Sequence, residues 1–429
     1  MLPLDYLHAL CLAAVALYIW RREPARLLLT PLMLLSFLVL YGIGNIIYFL
    51  GADTLPDVRR AVTLSLILMW AGLISGIELA SRSMPALAAR SRQVIGQWQR
   101  TPLSNPAHAD QLLAVLGALM ALFMLGVFFG YGKLGQLNNF LSFESGHEKL
   151  QYRLELSGQG GYLYHLLVAS IAPFVSFLLL SKAAASRRNY LRAAGLLLCV
   201  AVFAGKLGTF QKVPWLIYLL QLVIVVQLRK RLEIGAGRIV LFLFIVLAGA
   251  IAAAVIAIPE LDATSIFGWL TYRFFAINNE VIYQTFYVYP RYLPHTWGMN
   301  IGLVHSLFGS GELRSAHTQV ASFFGAEGAT FDAFFVADAW VDFAYLGVGL
   351  TALLVGFIVK TMDLYITSLG KTALAVALLG SGMYGVFQLQ VTSAFTAFLT
   401  GGLVLIPLLV LASQALVNDL SRGRMQWQR

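Results

Sequence analysis

Nothing charged lies between Asp110 and Lys133, and residues 112–130 read LLAVLGALMALFMLGVFFG. A charge-free stretch of about 20 residues is long enough to cross a hydrocarbon core of roughly 30 Å. Inside that core no water can satisfy the peptide groups, so the stretch must close its hydrogen bonds on itself as a helix. The chain repeats this feature many times. At 59% hydrophobic and 12% charged over 429 residues, its composition departs far from that of a soluble domain. The expected fold is an all-α polytopic membrane protein, one transmembrane unit over 1–429.

The pattern predicts about eleven transmembrane helices, at 4–20, 27–50, 61–81, 110–130, 162–181, 193–205, 213–228, 239–258, 338–359, 372–388 and 394–416. The spans 193–205 and 213–228 are short and are expected to extend, tilt or break near GKLGTFQKVPW. The first segment has no small-residue cleavage site and is read as a retained helix. Cys11 and Cys199 both lie in apolar stretches, which argues against a disulfide framework or a cysteine metal site.

The formal charge of +10 is a topology signal rather than a nucleic-acid footprint. RREPAR, the arginine-rich 82–108, SKAAASRRNYLR, RKRLEIGAGR, VKTMDLYITSLGK and the tail NDLSRGRMQWQR all fall in one set of connections. They hold most of the chain's 30 Lys and Arg. Positive connections stay inside, so the N-terminus is expected outside and the C-terminus cytoplasmic. Two long loops then face outward, 131–161 and 259–337. No convincing internal repeat marks the chain as an inverted-repeat transporter.

The charged residues of the outer side are the candidates for chemistry. Lys206 and Lys212 flank a turn loosened by Gly205 and Gly208, with Pro214 suited to start the next helix. Two ammonium groups beside a helix start suit a phosphate, although lysines snorkelling to the interface would read the same way. Arg273 and Glu280 are seven apart and share one face if 266–289 is helical, with Ala276, Tyr283 and Tyr287 as neighbours. Arg273 would clamp a diphosphate through its planar fork, or else pair with Glu280 simply to fix the loop.

Arg291, His295, Arg314 and His317 follow in the same loop, with Pro290 and Pro294 stiffening the chain. They suggest an anion pocket. No HExxH, cysteine pair or carboxylate cluster points to a metal, and no cofactor is expected. Asp338, Asp342 and Tyr345 stand at i, i+4 and i+7, one face at the start of a span. Such acids serve the helix dipole, or act as a general base on a hydroxyl. The rings of 271–297, with Tyr272, Tyr283 and Tyr287 beside Asn278, Asn279 and Gln284, suit a membrane interface and equally suit sugars.

The order of these features resembles the Wzy-type repeat-unit polymerases of bacterial O-antigen and exopolysaccharide synthesis. The resemblance rests on the GKLGTFQK turn between two spans and on an outer loop opening YRFF…NNEVIYQ…YVYPRYLP. It rests also on a span beginning ADAWVDFAYLGVG. Lysines stand in the turn where such proteins often show an arginine.

The resemblance implies a metal-independent glycosyltransferase of GT-C-like architecture in the bacterial inner membrane, with its active site facing the periplasm. Both donor and acceptor would be glycans on undecaprenyl diphosphate, with membrane lipids around them and a separate chain-length regulator as a possible partner. Arg273 would stabilise the leaving diphosphate, helped by Arg291, Arg314, Lys206 and Lys212. Asp338, Glu280 and His317 are the candidate bases, and His295, Tyr272, Tyr283 and Tyr287 would line the glycan site. An O-antigen ligase, or another lipid-diphosphate-sugar transferase, would share this chemistry with a different acceptor. A flippase or a purely structural export subunit would need neither base nor clamp.

Overall fold

A computed structural model gives the fold of every residue except 1–2, 24–25, 106–109, 144–145, 157–160, 210–211, 234–247, 250, 252–262, 310–314, 326–333 and 415–429. Among the described residues the chain is helical throughout, with two isolated β-bridges and no strand. Eight helices are long and apolar enough to cross a membrane. They are α1 (Leu4–Arg22), α2 (Leu29–Gly51), α3 (Pro56–Ser83), α4 (Asp110–Gly130), α5 (Gly161–Ser186), α6 (Asn189–Leu207), α7 (Phe335–Ser368) and α8 (Ala373–Val391).

These match eight of the expected spans, and the short span 193–205 does extend. The other three differ. Val213–Leu228 is a shorter apolar helix. The expected span 239–258 lies almost wholly outside the described residues. The expected span 394–416 is interrupted: a helix Ala394–Leu399 stops, and Leu405–Gln414 begins after a turn at Gly401 and Gly402. Gly402 has φ 75°, a conformation that glycine alone adopts without strain. The expected outer loop 131–161 contains two helices, Lys133–Ser142 and Gly146–Leu156.

The connections richest in Arg and Lys gather at one end of the bundle. Leu27 N–H donates to Leu232 O at 2.8 Å, and the Trp98 indole to Leu228 O at 2.8 Å. Lys371 Nζ donates to Trp98 O at 2.9 Å and Lys230 O at 3.3 Å. Lys182 pairs with Asp110 at 2.7 Å, and Lys360 pairs with Glu23. Asp363 of α7 accepts from Leu29 N (2.8 Å) and Thr30 N (2.7 Å), capping the start of α2 from another helix. The other end collects Asp5, Phe49, Asp57 and Arg59 with the segment 272–300.

α3 and α7 lie backbone against backbone. A Cβ at Gly76 would meet Leu353 O at 2.1 Å, one at Gly72 would meet Gly349 O at 2.7 Å, and one at Gly356 would meet Leu73 O at 2.3 Å. Lipid tails are as apolar as leucine, so helices in a membrane gain most from such close van der Waals approach. Gly72 and Gly76 form a G-x-x-x-G on α3. This seam fixes α7, and α7 carries the acids of the candidate site.

Candidate functional site

α7 is not one helix. Phe343 (φ −137°, ψ 24°) and Ala344 (φ 51°, ψ −140°) break it between Asp342 and Tyr345. An alanine at positive φ is strained, and it persists only where its surroundings over-determine it. They do so here. Val341 O and Asp342 O, which a continuous helix would use internally, accept from Thr296 N (3.0 Å) and Trp297 N (3.1 Å).

The part of α7 before the break, 335–342, is wholly buried. Phe334 stacks on Tyr41 with ring centroids 3.7 Å apart, and Trp340 stacks on Phe286 at 4.2 Å. The Trp340 indole donates to Tyr289 O at 3.0 Å. The expected shared face of Asp338, Asp342 and Tyr345 therefore ends at Asp342. Tyr345, beyond the break, packs edge-on against Trp340 instead.

Asp338 and Asp342 are each 5% exposed. One oxygen of Asp342, Oδ1, accepts from Thr296 Oγ1 (2.5 Å), Gly298 N (3.1 Å) and Asn300 N (3.3 Å). This carboxylate folds the loop 296–300 around itself. Gly298 takes φ 90°, and a Cβ there would sit 3.2 Å from the Phe343 ring, so the bend requires glycine. The bend delivers Asn300 to the second acid: Asn300 Nδ2 donates to Asp338 Oδ1 at 2.8 Å, and Asn300 Oδ1 accepts from Ala316 N at 3.0 Å. His317 Nε2 lies 3.1 Å from the same Asp338 oxygen. The other oxygen, Oδ2, is buried without a hydrogen-bond partner among the described residues. Asp338 and His317, separate candidates in the sequence, thus form one carboxylate–imidazole pair.

Arg273 and Glu280 do not share a face as expected. The helical interval comprises Ala263–Thr271, a π segment Tyr272–Ala276, and Ile277–Val288. A π turn inserts one extra residue, so the residue aligned with Glu280 is eight positions back rather than seven. Tyr272 accordingly donates to Glu280 Oε2 at 2.5 Å, and Gln284 Nε2 donates to Oε1 at 3.2 Å. Burial and the Glu280 carboxylate push the Tyr272 phenol up to about 12. Arg273 is exposed, its guanidinium 5.2 Å from the Trp269 ring centroid. Among the described contacts no salt bridge fixes it. Both oxygens of Glu280 are therefore engaged within this helix, by Tyr272 and Gln284.

The remaining candidates scatter. Lys206 does not snorkel to the surface. It is 2% exposed, with Nζ 4.7 Å from the Tyr384 ring centroid and 5.9 Å from that of Tyr218. No carboxylate pairs with it among the described residues. Lys212 opens the next helix; its side chain, like the whole of Arg314, lies outside the described residues. Arg291 forms a salt bridge with Asp57 at the rim and lies 5.2 Å from the Tyr287 ring centroid. His295 Nδ1 lies 3.2 Å from Val341 O, so its ring steadies the end of the half-helix. Tyr283 accepts from Leu55 N at 2.9 Å, and its ring is stacked with Tyr287. Tyr287 continues a band with Tyr292, Phe323 and Phe324.

Sequence reasoning missed Thr296 and Asn300, the two side chains that tie the acids together. A polar residue in a loop has no periodicity to betray it; the only local hint is the glycine between them. Among the described residues no group of three or more His, Cys, Asp or Glu could hold a metal ion. Compared with protein families, curated proteins and solved structures, the chain matches none.

Proposed function

We propose that this chain is a membrane glycosyltransferase that joins undecaprenyl-diphosphate-linked repeat units into a polysaccharide on the outer face of a bacterial inner membrane. One observation carries the reading. The buried Asp338 carboxylate, paired with the half-buried His317 imidazole, has one oxygen with no hydrogen-bond partner among the described residues, in the part of α7 before the break. Structural acids are normally satisfied on both oxygens. A half-satisfied one held by Asn300 is suited to take a proton.

In the proposed reaction an acceptor-sugar hydroxyl gives its proton to Asp338 Oδ2. Its oxygen forms the new bond to the anomeric carbon of the donor chain. The bond from that carbon to the diphosphate oxygen breaks, and undecaprenyl diphosphate leaves with the electron pair. Cationic side chains would stabilise the charge that develops on the diphosphate. Lys206, buried on two rings with no carboxylate partner among the described residues, and Arg273, exposed at a π turn, are the residues assigned to this. Rings of the Tyr283–Tyr287–Tyr292 band would pack on sugar faces.

A second reading has its own support. Two helices are discontinuous, α7 at Phe343–Ala344 and the 394–414 interval at Gly401–Gly402. Broken helices also form substrate sites in secondary transporters. Reconstitution separates the readings. Purified protein in vesicles is given undecaprenyl-diphosphate-linked repeat units, and the products are separated by size. A ladder of lipid-linked oligomers that disappears in Asp338→Asn is the expected result. Transfer only to a lipid A core acceptor would make the chain a ligase. Movement of intact units across the bilayer without a new glycosidic bond would make it a transporter.

A further inference from the structure

The loop that Asp342 folds around itself runs on into a charge-free stretch. No Asp, Glu, Lys or Arg stands between Arg291 and Glu312. A loop in water turns its polar side chains outward, and this one does the reverse. Trp297 is 73% exposed, Leu307 68% and Phe308 74%. The polar groups turn inward: Thr296 Oγ1, Gly298 N and Asn300 N donate to Asp342, and Asn300 Nδ2 to Asp338. Trp297 takes φ 51°, a left-handed conformation that is uncommon for so bulky a residue. Its N–H, given to Asp342 O at 3.1 Å, holds it there with the indole outside.

What covers these side chains follows from the surface they continue. Beyond the break in α7, Phe343, Leu346, Leu350 and Leu354 are exposed along one flank of a membrane-crossing helix, and such a flank meets lipid. The Trp297 ring stands edge-on to Phe343, the first residue of that stripe, with centroids 6.2 Å apart. Val304 and Phe308 share a face of the helix Gly302–Phe308. Val304 Cγ1 lies 4.0 Å from the Cβ position of Gly298, which the Phe343 ring approaches to 3.2 Å. The depth agrees. Residues 343–359 carry no charge, and as a helix they cover roughly 25 Å of a core of roughly 30 Å. Lys360, next in the chain, pairs with Glu23 at the basic end. The break therefore stands near the other edge of the hydrocarbon, the level at which tryptophan concentrates.

We propose that residues 297–308 form an interfacial element that docks on the lipid leaflet at this end of the bundle. Trp297, Leu307 and Phe308 would lie at the boundary between headgroups and acyl chains, with Asn300 turned inward to Asp338. The partner is the lipid surface as such, because the side chains offered are apolar apart from the indole N–H. Elements of this kind bury their apolar face about 5–10 Å into that boundary. Part of the long loop 259–337 thus returns to the bilayer and walls the acids off on the lipid side. Asp338 then stands about 8 Å beyond the break along the half-helix, at the depth of lipid headgroups. That depth suits a reaction at a lipid-linked diphosphate, but the placement of the element does not rest on the transferase reading.

Spin-label accessibility in phosphatidylcholine–phosphatidylglycerol vesicles tests this directly. A nitroxide is placed at Phe308→Cys in the full chain, with Cys11→Ala and Cys199→Ala leaving one labelling site. Leu350→Cys, on the exposed flank of the span, and Arg92→Cys, exposed at the basic end, are the references. The expected result is that collisions with oxygen exceed those with a water-soluble nickel chelate at position 308, as at 350, and that the order inverts at 92. Nickel collisions dominating at 308 would put the element in water and overturn the proposal. Few collisions with either probe would show that protein, such as a second copy of the chain, covers it, and would overturn it too. A second arm uses unaltered protein and a phosphatidylcholine carrying a diazirine near its ester groups. Photo-adducts should map to 297–308; adducts on α7 with none in 297–308 would refute the placement without any variant having to fold.

Discussion

Gly76→Ala adds one methyl group at the tightest point of the α3–α7 seam. That Cβ would sit 2.1 Å from Leu353 O and 2.7 Å from Phe357 N. Ordinary contact begins at 3.4 Å, so the shortfall against the carbonyl is about 1.3 Å. Both obstructing atoms are backbone and cannot rotate aside, so the helices must separate. A gap of roughly 0.5–1 Å already forfeits a quarter to a half of each contact's attraction. The seam is lined by fully buried Leu73, Ala352 and Val355. Overpacking of this kind costs about 1–3 kcal/mol.

The assay is the thermal midpoint of detergent-solubilised protein, followed by loss of the monodisperse elution peak. Gly126→Ala on α4 is the control, because nothing lies within 4 Å of its Cβ position. Gly76→Ala should melt clearly below both the parent and this control. Equal melting of all three proteins would refute the glycine-seam argument and, with it, the account of what holds α7 in place.

Asp342→Ala removes the acceptor of Thr296 Oγ1, Gly298 N and Asn300 N, and should cost about 3 kcal/mol; limited proteolysis should then cut within 296–300 first. Lys206→Met should leave stability unchanged or raised, since it removes an unpaired buried cation, yet abolish the oligomer ladder; a variant with a normal ladder would remove Lys206 from the proposed diphosphate site. Burial holds the Glu23 carboxyl above its ordinary value, and Lys360 only partly offsets this. The folded state therefore binds that proton more tightly than the unfolded chain. The stability this contributes is present at low pH and lost as pH rises from the ordinary carboxylate value through the raised one. Glu23→Gln should flatten the stability profile across that window, as measured by melting at stepped pH.

The gathering of basic connections at one end follows from charge placement and needed no coordinates. The same holds for the eight long apolar helices, whose length and lack of charge leave the backbone no other way to satisfy itself in lipid. Gly72–Gly76 was equally open to inspection as a G-x-x-x-G. Asp338 was recognisable as an acid at a helix start, but its role was not. That depended on Asp342, which draws in the 296–300 loop and so brings Asn300 to Asp338, 38 residues away in the chain.

Periodicity misled at two places for one reason. Spacing arguments assume an unbroken α-helix. The π turn at Tyr272–Ala276 gave Glu280 to Tyr272 rather than to the Arg273 face, and the break at Phe343–Ala344 removed Tyr345 from the Asp338 face. Lys206 differs for another reason: its position at the end of a span allowed an interfacial reading, while packing turned it inward onto Tyr218 and Tyr384. Hydrophobic pattern and charge are local properties, so the sequence alone determined which segments are long apolar helices and at which end the basic connections meet. Register shifts, helix breaks and the direction of one buried lysine are settled by what a segment packs against, so only the tertiary structure decided them.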